Sequence, residues 1–188
     1  MRHFIVKAII ASVLIFLGVG GGIYVGTALS NRSNFNDTSP GGLSNNSYLE
    51  IGSKFPDYTL VDHKTGQELS ISNLTVQKPT LLFFLSTSCD VCYKLSDYVK
   101  SSIIPNLRDD IQIAIIFDST EIANVKSIPD ALIFPGSKIF VTDRRSQNLD
   151  DGINIMPSVV GLYVDRKIRF IMSGYNRKIN AGFINEIL

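Results

Sequence analysis

Thr80-Leu81-Leu82-Phe83-Phe84-Leu85-Ser86-Thr87-Ser88-Cys89-Asp90-Val91-Cys92 holds the only two cysteines of the chain. Its first six residues are almost all apolar, as a central strand covered on both faces should be. The pair Cys89 and Cys92 then falls where that strand runs into a helix. A helix N-terminus favours negative charge and so suits a thiolate at the first position. The second cysteine follows nearly one turn later, placed to attack a mixed disulfide formed by the first. Two cysteines are too few for a structural zinc site, and the only histidines, His3 and His63, lie far from them in sequence. A structural disulfide is the alternative, although so small a loop would constrain little of the unfolded chain. No organic cofactor and no metal is called for.

Alternating strands and helices are expected on either side of this stretch. Asp57 to Val61 and Glu68 to Ile71 read as short strands around the turn Asp62-His63-Lys64-Thr65-Gly66. A helix is predicted from about Cys89 to Ile104, with Leu95, Val99 and Ile103 on one face and Pro105 ending it. Ile111 to Phe117 reads as a second central strand. Asp118-Ser119-Thr120-Glu121 has the form of a capping box, in which Asp118 accepts a backbone N–H and Glu121 returns to another; the helix it opens should stop before Pro129. Ile139 to Thr142 is a further short strand, and Asp143 to Asn154 a polar loop. Val159 to Val164 and Ile168 to Met172 form a hairpin around Asp165-Arg166-Lys167, and Asn180 to Leu188 a closing helix. The fold class expected is therefore α/β, a mixed central sheet with helices on both faces. The cysteines would lie at the carboxyl end of a parallel strand, where open α/β sheets place their chemistry.

The first residues suggest a location. Arg2 and Lys7 precede the uncharged, mostly apolar stretch Ala8 to Leu29, long enough to cross a bilayer as a helix. The basic residues before it put the N-terminus in the cytoplasm and the main domain outside. The expected arrangement is thus residues 1–29 as a cytoplasmic start and transmembrane anchor, 30–48 as a flexible linker, and 49–188 as the folded domain. A cleaved signal peptide ending near Gly26-Thr27-Ala28 is the alternative. Gly18, Gly22 and Gly26 recur every four residues and could pack one membrane helix on another as a dimer. The chain carries a net charge of only +1 and lacks a basic cluster, so nucleic-acid binding is not expected.

Four pieces together resemble the thioredoxin superfamily, in particular the membrane-anchored extracytoplasmic thiol-disulfide oxidoreductases of the TlpA/ResA-like redoxin branch. They are the opening Gly52-Ser53-Lys54-Phe55-Pro56-Asp57, the C-x-x-C after its apolar strand, Met156-Pro157 before the closing hairpin, and Gly174 near the hairpin's end. The phrase Leu82 to Cys92 is also similar, locally, to redoxins that assist methylamine dehydrogenase maturation. The resemblance implies a thioredoxin-like fold, with Cys89 as exposed nucleophile and Cys92 as shielded resolving cysteine. It matches Pro157 to the family's cis-proline beside the dithiol, with Met156 offering backbone groups to an extended substrate. The implied partners are an exported client protein with cysteines and a membrane thiol electron donor, at a single-pass position in the bacterial cell membrane. The implied activity is disulfide exchange, as reductant or maturation factor; the alternatives are a disulfide-forming oxidase or isomerase, a peroxiredoxin-like peroxidase, and a non-enzymatic tethered binding module.

Several family features are missing. Ser88 stands where many members have tryptophan, and the chain has no tryptophan. Phe83 occupies the position of the buried aspartate of thioredoxins, and Leu95 the position of a glutamate common among the tethered reductases. Asp97 and Asp118 are the remaining candidates for an acid that takes a proton from the buried thiol, against ordinary surface or capping roles. Ser86 and Leu82 fill the places where a peroxiredoxin has threonine and proline. Asp90 and Lys94 flank the cysteines with opposite charges, so the sequence does not set the redox potential.

Overall fold

The computed structural model describes residues 49–123, 127–143 and 153–188, within the unit Asn45–Leu188. Seven strands form one sheet in the order β2-β1-β5-β4-β3-β6-β7. These are β1 (Thr59–Asp62), β2 (Glu68–Ser70), β3 (Thr80–Phe84), β4 (Gln112–Asp118), β5 (Lys138–Thr142), β6 (Ser158–Leu162) and β7 (Ile168–Ser173). β3, β4 and β5 run parallel, while β6 and β7 on one side and β1 and β2 on the other are antiparallel additions. The helices are α1 (Ile71–Thr75), α2 (Asp90–Tyr98), α3 (Ser119–Ile122) and α4 (Ala181–Ile187).

The unbroken apolar runs of β3 and β4 follow from burial on both faces. Alternate side chains of a strand point to opposite sides, and the two sets enter separate cores. Leu81, Phe83, Ile113, Ile115 and Phe117 pack with Cys92, Leu95 and Val99 of the cysteine helix and with Ile184 of α4. Leu82, Phe84, Ala114 and Ile116 pack on the other face with Ile71 and Leu74 of α1, and with Phe55, Tyr58 and Leu60. Helices therefore cover both faces, as the alternation of segments predicts. The opening Gly52–Asp57 docks beside the β6–β7 hairpin: Gly52 donates to the Ile168 carbonyl at 2.8 Å and Phe55 to the Arg166 carbonyl at 2.9 Å.

Two elements differ from expectation. Ile71 opens a helix rather than ending a strand, because the Ser70 side chain accepts the Asn73 amide and caps the turn. The cysteine helix is α-helical only to Tyr98, then passes through a π-helix, Val99–Ile103, and a 3-10 turn, Ile104–Asn106. Pro105 has no N–H to continue the ladder, and the Ile104 amide reaches five residues back to the Val99 carbonyl.

The membrane arrangement expected from the sequence is corrected. Among the described residues no helix is long and apolar enough to cross a membrane. Among the described residues the longest regular α-helix, α2, has 9 residues, and spanning a bilayer takes about 20 apolar ones. Residues 8–29, on which the transmembrane anchor rested, lie outside the described residues, as do the linker 30–48 and most of the polar loop 143–154. The tether, the single-pass bacterial membrane location with its extracytoplasmic domain, the Gly18/Gly22/Gly26 helix dimer and the membrane-bound thiol donor are therefore not carried further. Each of them depends on a spanning helix that the described structure does not contain.

Candidate functional site

β3 ends at Phe84, and the loop Leu85–Ser88 carries the chain onto α2. Cys89 is the N-cap of that helix, with extended backbone (φ −106°, ψ 104°), and its sulphur accepts the Cys92 amide at 3.1 Å. The Cys92 amide, which also donates to the Cys89 carbonyl at 2.9 Å, thereby shares its N–H with the sulphur that would carry the nucleophile's charge. The same Sγ donates to the Met156 carbonyl at 3.6 Å. Cys89 is half-buried, Cys92 is buried, and both are free thiols. One thiol is open to a partner and the other is shielded behind it.

Burial, above all, pushes the Cys92 thiol up from 9.0 to about 12. Its contact with Cys89 and the negative charge of Glu121 act in the same direction, while a backbone hydrogen bond from Ser86 opposes them.

Met156 and Pro157 lie immediately before β6, the antiparallel neighbour of β3. The Met156–Pro157 peptide bond is cis. Pro157 is buried and Met156 half-buried. Gly174, at φ +77°, closes the hairpin's far end by donating to the Pro157 carbonyl at 2.7 Å. Left-handed backbone of this kind favours glycine. The structure thus brings Cys89, Cys92 and Met156–Pro157 together from two separate stretches of sequence. Val91 and Ile155, next to this group in the chain, are 39% and 51% exposed. Large apolar side chains left open beside a half-exposed thiol offer a surface that a partner can cover.

Neither of the two acids proposed from sequence is placed to serve Cys92. Asp97 is exposed on α2, and Asp118 accepts the Thr120 amide at 2.9 Å as the cap of α3. Lys94 and Asp90 are exposed as well. The carboxylate that does reach the site is Glu121, which the capping-box pattern assigned to its own helix. Its Oε1 instead accepts the Ser86 hydroxyl at 2.8 Å, the Thr87 hydroxyl at 2.7 Å, the Thr87 amide, and the Ser88 amide at 3.3 Å. The polar run Ser86-Thr87-Ser88 was the signal available in the sequence, three consecutive residues rich in donors, of which the structure half-buries Ser86 and Thr87. Tyr93 holds the loop from the helix side, donating its hydroxyl to the Thr87 carbonyl at 3.0 Å. Among the described residues no cluster of three or more metal-ligating side chains occurs.

No family model matches the sequence, and no curated protein matches it. Solved structures do resemble it in three dimensions. StoA from Bacillus subtilis is 18% identical, with 70% of this chain and 96% of that one covered and a TM-score of 0.52. The thioredoxin domain of a thiol-disulfide oxidoreductase from Bacteroides vulgatus is 16% identical, with 73% and 94% covered and a TM-score of 0.50. At such identities the likeness concerns architecture alone. The seven-stranded sheet, its helices on both faces and the C-x-x-C at the end of a central parallel strand make this a thioredoxin-like fold.

Proposed function

We propose that the domain 49–188 is a thiol-disulfide oxidoreductase acting by dithiol–disulfide exchange on a cysteine-bearing client protein, in the direction of client reduction or maturation. The observation that carries this is the asymmetry of the pair. Cys89 is half-exposed at a helix N-terminus with the Cys92 amide on its sulphur, and Cys92 is buried behind it.

In this scheme the Cys89 thiolate attacks one sulphur of a client disulfide. A Cys89–client S–S bond forms, and the other client sulphur leaves as thiolate and takes up a proton. Cys92 loses its proton and attacks the Cys89 sulphur. The mixed disulfide breaks, the client leaves fully reduced, and Cys89–Cys92 becomes the disulfide. Two electrons pass to the client, and an external dithiol must return them. Met156 and Pro157 are the proposed client-binding residues, with the Met156 carbonyl already at the Cys89 sulphur and Val91 and Ile155 as an apolar rim. Placement in the TlpA/ResA-like branch, without its membrane tether, belongs to the same proposal. It is supported by the docked Gly52–Asp57 opening, the C-x-x-C and the Met156-Pro157/Gly174 pairing.

The reductant direction is supported by Cys92, whose raised thiol gives the reduced state no stabilisation through a second thiolate; stabilised thiolates make oxidants. Equilibrating the couple against glutathione tests it. A potential near or below about −250 mV supports client reduction, and one between about −120 and about −180 mV assigns the domain to disulfide formation or isomerisation.

A further inference from the structure

We propose that Glu121 is the positioning residue of the dithiol site: its carboxylate, brought in from the helix that follows the neighbouring strand, holds the loop that delivers Cys89 and adds a negative charge beside the dithiol. The inference deepens the dithiol reading above and rests on it.

Strand pairing creates the opportunity. β3 and β4 run parallel in the register Phe84↔Ile116, and the Leu85 amide continues onto the Ile116 carbonyl at 3.2 Å. The two chains therefore leave the sheet side by side, one into Ser86–Ser88 and the other into α3. The single turn of α3 carries Glu121 back over the neighbouring loop. Four donors from three consecutive residues then converge on one oxygen. A carboxylate is acceptor-only, and hydrogen bonds to it are stronger than those to a neutral carbonyl. Without that acceptor, the half-buried Ser86 and Thr87 groups would lose their partner, and the short loop would no longer fix Cys89 on the end of α2.

Glu121 also acts on Cys92 through charge, in the same sense as burial. Burial and the contact with Cys89 act more strongly on Cys92 than Glu121 does, and Glu121 is the carboxylate that adds to them. Cys89 lies across the helix turn, the Tyr93 hydroxyl is committed to the Thr87 carbonyl, and Asp90, Lys94 and Asp97 are exposed. Glu121 thus supplies a carboxylate at a site whose strand and helix positions, Phe83 and Leu95, are apolar.

The test uses the full chain and needs no client. Reduced protein is treated with dithiobis(nitrobenzoate): the Cys89 thiolate attacks one sulphur, the reagent's S–S bond breaks, a first aryl thiolate leaves and Cys89 holds the other aryl thiol as a mixed disulfide. Cys92 then bonds to Cys89 and expels the second aryl thiolate with its electron pair, the Cys92 proton passing to solvent; the second equivalent of coloured product gives the rate. E121Q keeps an acceptor oxygen at the same reach and removes the charge. Its release profile should move to lower pH, with release about three-fold faster for each unit that the Cys92 thiol falls. E121A removes the acceptor, so the Thr87 and Ser88 amides should exchange hydrogen at least about tenfold faster than in the native chain. A profile for E121Q that superposes on the native one, or that is slowed uniformly without a shift in pH, overturns the proposal. So does unchanged amide exchange in a folded E121A. If E121A does not fold, E121Q alone decides. A native protein that fails to reduce protein disulfides, yet shows the E121Q shift, sinks the oxidoreductase reading and leaves this one standing.

Discussion

The two cysteines differ in a way that each substitution exposes separately. Cys92→Ser removes the attacking group of the second step but leaves Cys89 half-exposed, so a client disulfide should be captured and held. Mass spectrometry of the variant after incubation with a disulfide client should show a stoichiometric adduct that reductant releases. Cys89→Ser should form no such adduct, because the remaining thiol is buried. Equal adduct formation by both variants would place the nucleophile elsewhere. Tyr93 offers a milder probe. Its ring packs against the core on the α2 side while the hydroxyl bonds the Thr87 carbonyl. Tyr93→Phe should cost about 0.5–1.5 kcal/mol in urea unfolding, and a loss above that range would show that the hydroxyl does more than this one bond.

Among the elements, β6, like β3, is buried along its whole length, here between β3 and β7. Gly161 lies opposite Phe170 of β7, and a Cβ built there would stand 2.2 Å from the Phe170 ring. Such a distance cannot be tolerated without moving the ring, which is itself packed against Phe183 of α4 at a centroid distance of 5.3 Å. Gly161→Ala should therefore destabilise the domain by about 1–3 kcal/mol through overpacking. A midpoint in urea unchanged from the native chain would show that the ring moves freely. The cysteine helix illustrates the opposite case. Its apolar spacing, Leu95-Val99-Ile103, is that of an α-helix, yet Pro105 shifts its last turns into wider and then narrower windings. The buried face survives the change, because all three of those side chains remain buried.

At the scale of the whole molecule, the state of Cys92 should be visible in the stability of the domain. The folded protein holds the Cys92 proton up to about pH 12, whereas the unfolded chain releases it near 9.0. Between these values the unfolded state binds fewer protons, so stability falls as pH rises. The full stability is present below about pH 9, and the loss can reach about 1.4 kcal/mol per pH unit above it. The oxidised protein has no Cys92 thiol to titrate. Denaturant unfolding of the two forms at several alkaline pH values should show the reduced form losing ground steadily to the oxidised one. A constant difference between them would mean that Cys92 ionises as freely in the folded state as in the unfolded one.

Much of this architecture is legible along the chain. The doubly apolar strands, the C-x-x-C at a strand-to-helix junction and the β6–β7 hairpin depend on local pattern: period, turn residues and the spacing of cysteines. The apolar stretch Ala8 to Leu29 shows the limit of such patterns, since its hydropathy prompted a membrane arrangement that the described residues do not contain. The α1 helix was hidden because five residues are too few to display a period, and its cap, Ser70, also suits a strand end. Glu121 was legible only as a helix-capping residue, because a sequence shows its neighbours in the chain and not the donors on the next strand. The sequence by itself therefore determined the class of fold and the pair of thiols. The resemblance pointed to Cys92 as the shielded thiol and to Met156-Pro157 beside the pair; only the tertiary structure decided that the Met156 carbonyl meets the Cys89 sulphur and that the loop's acceptor comes from 33 to 35 residues away. Those relations arise from parallel pairing and from burial, and both are properties of chain segments brought together in space.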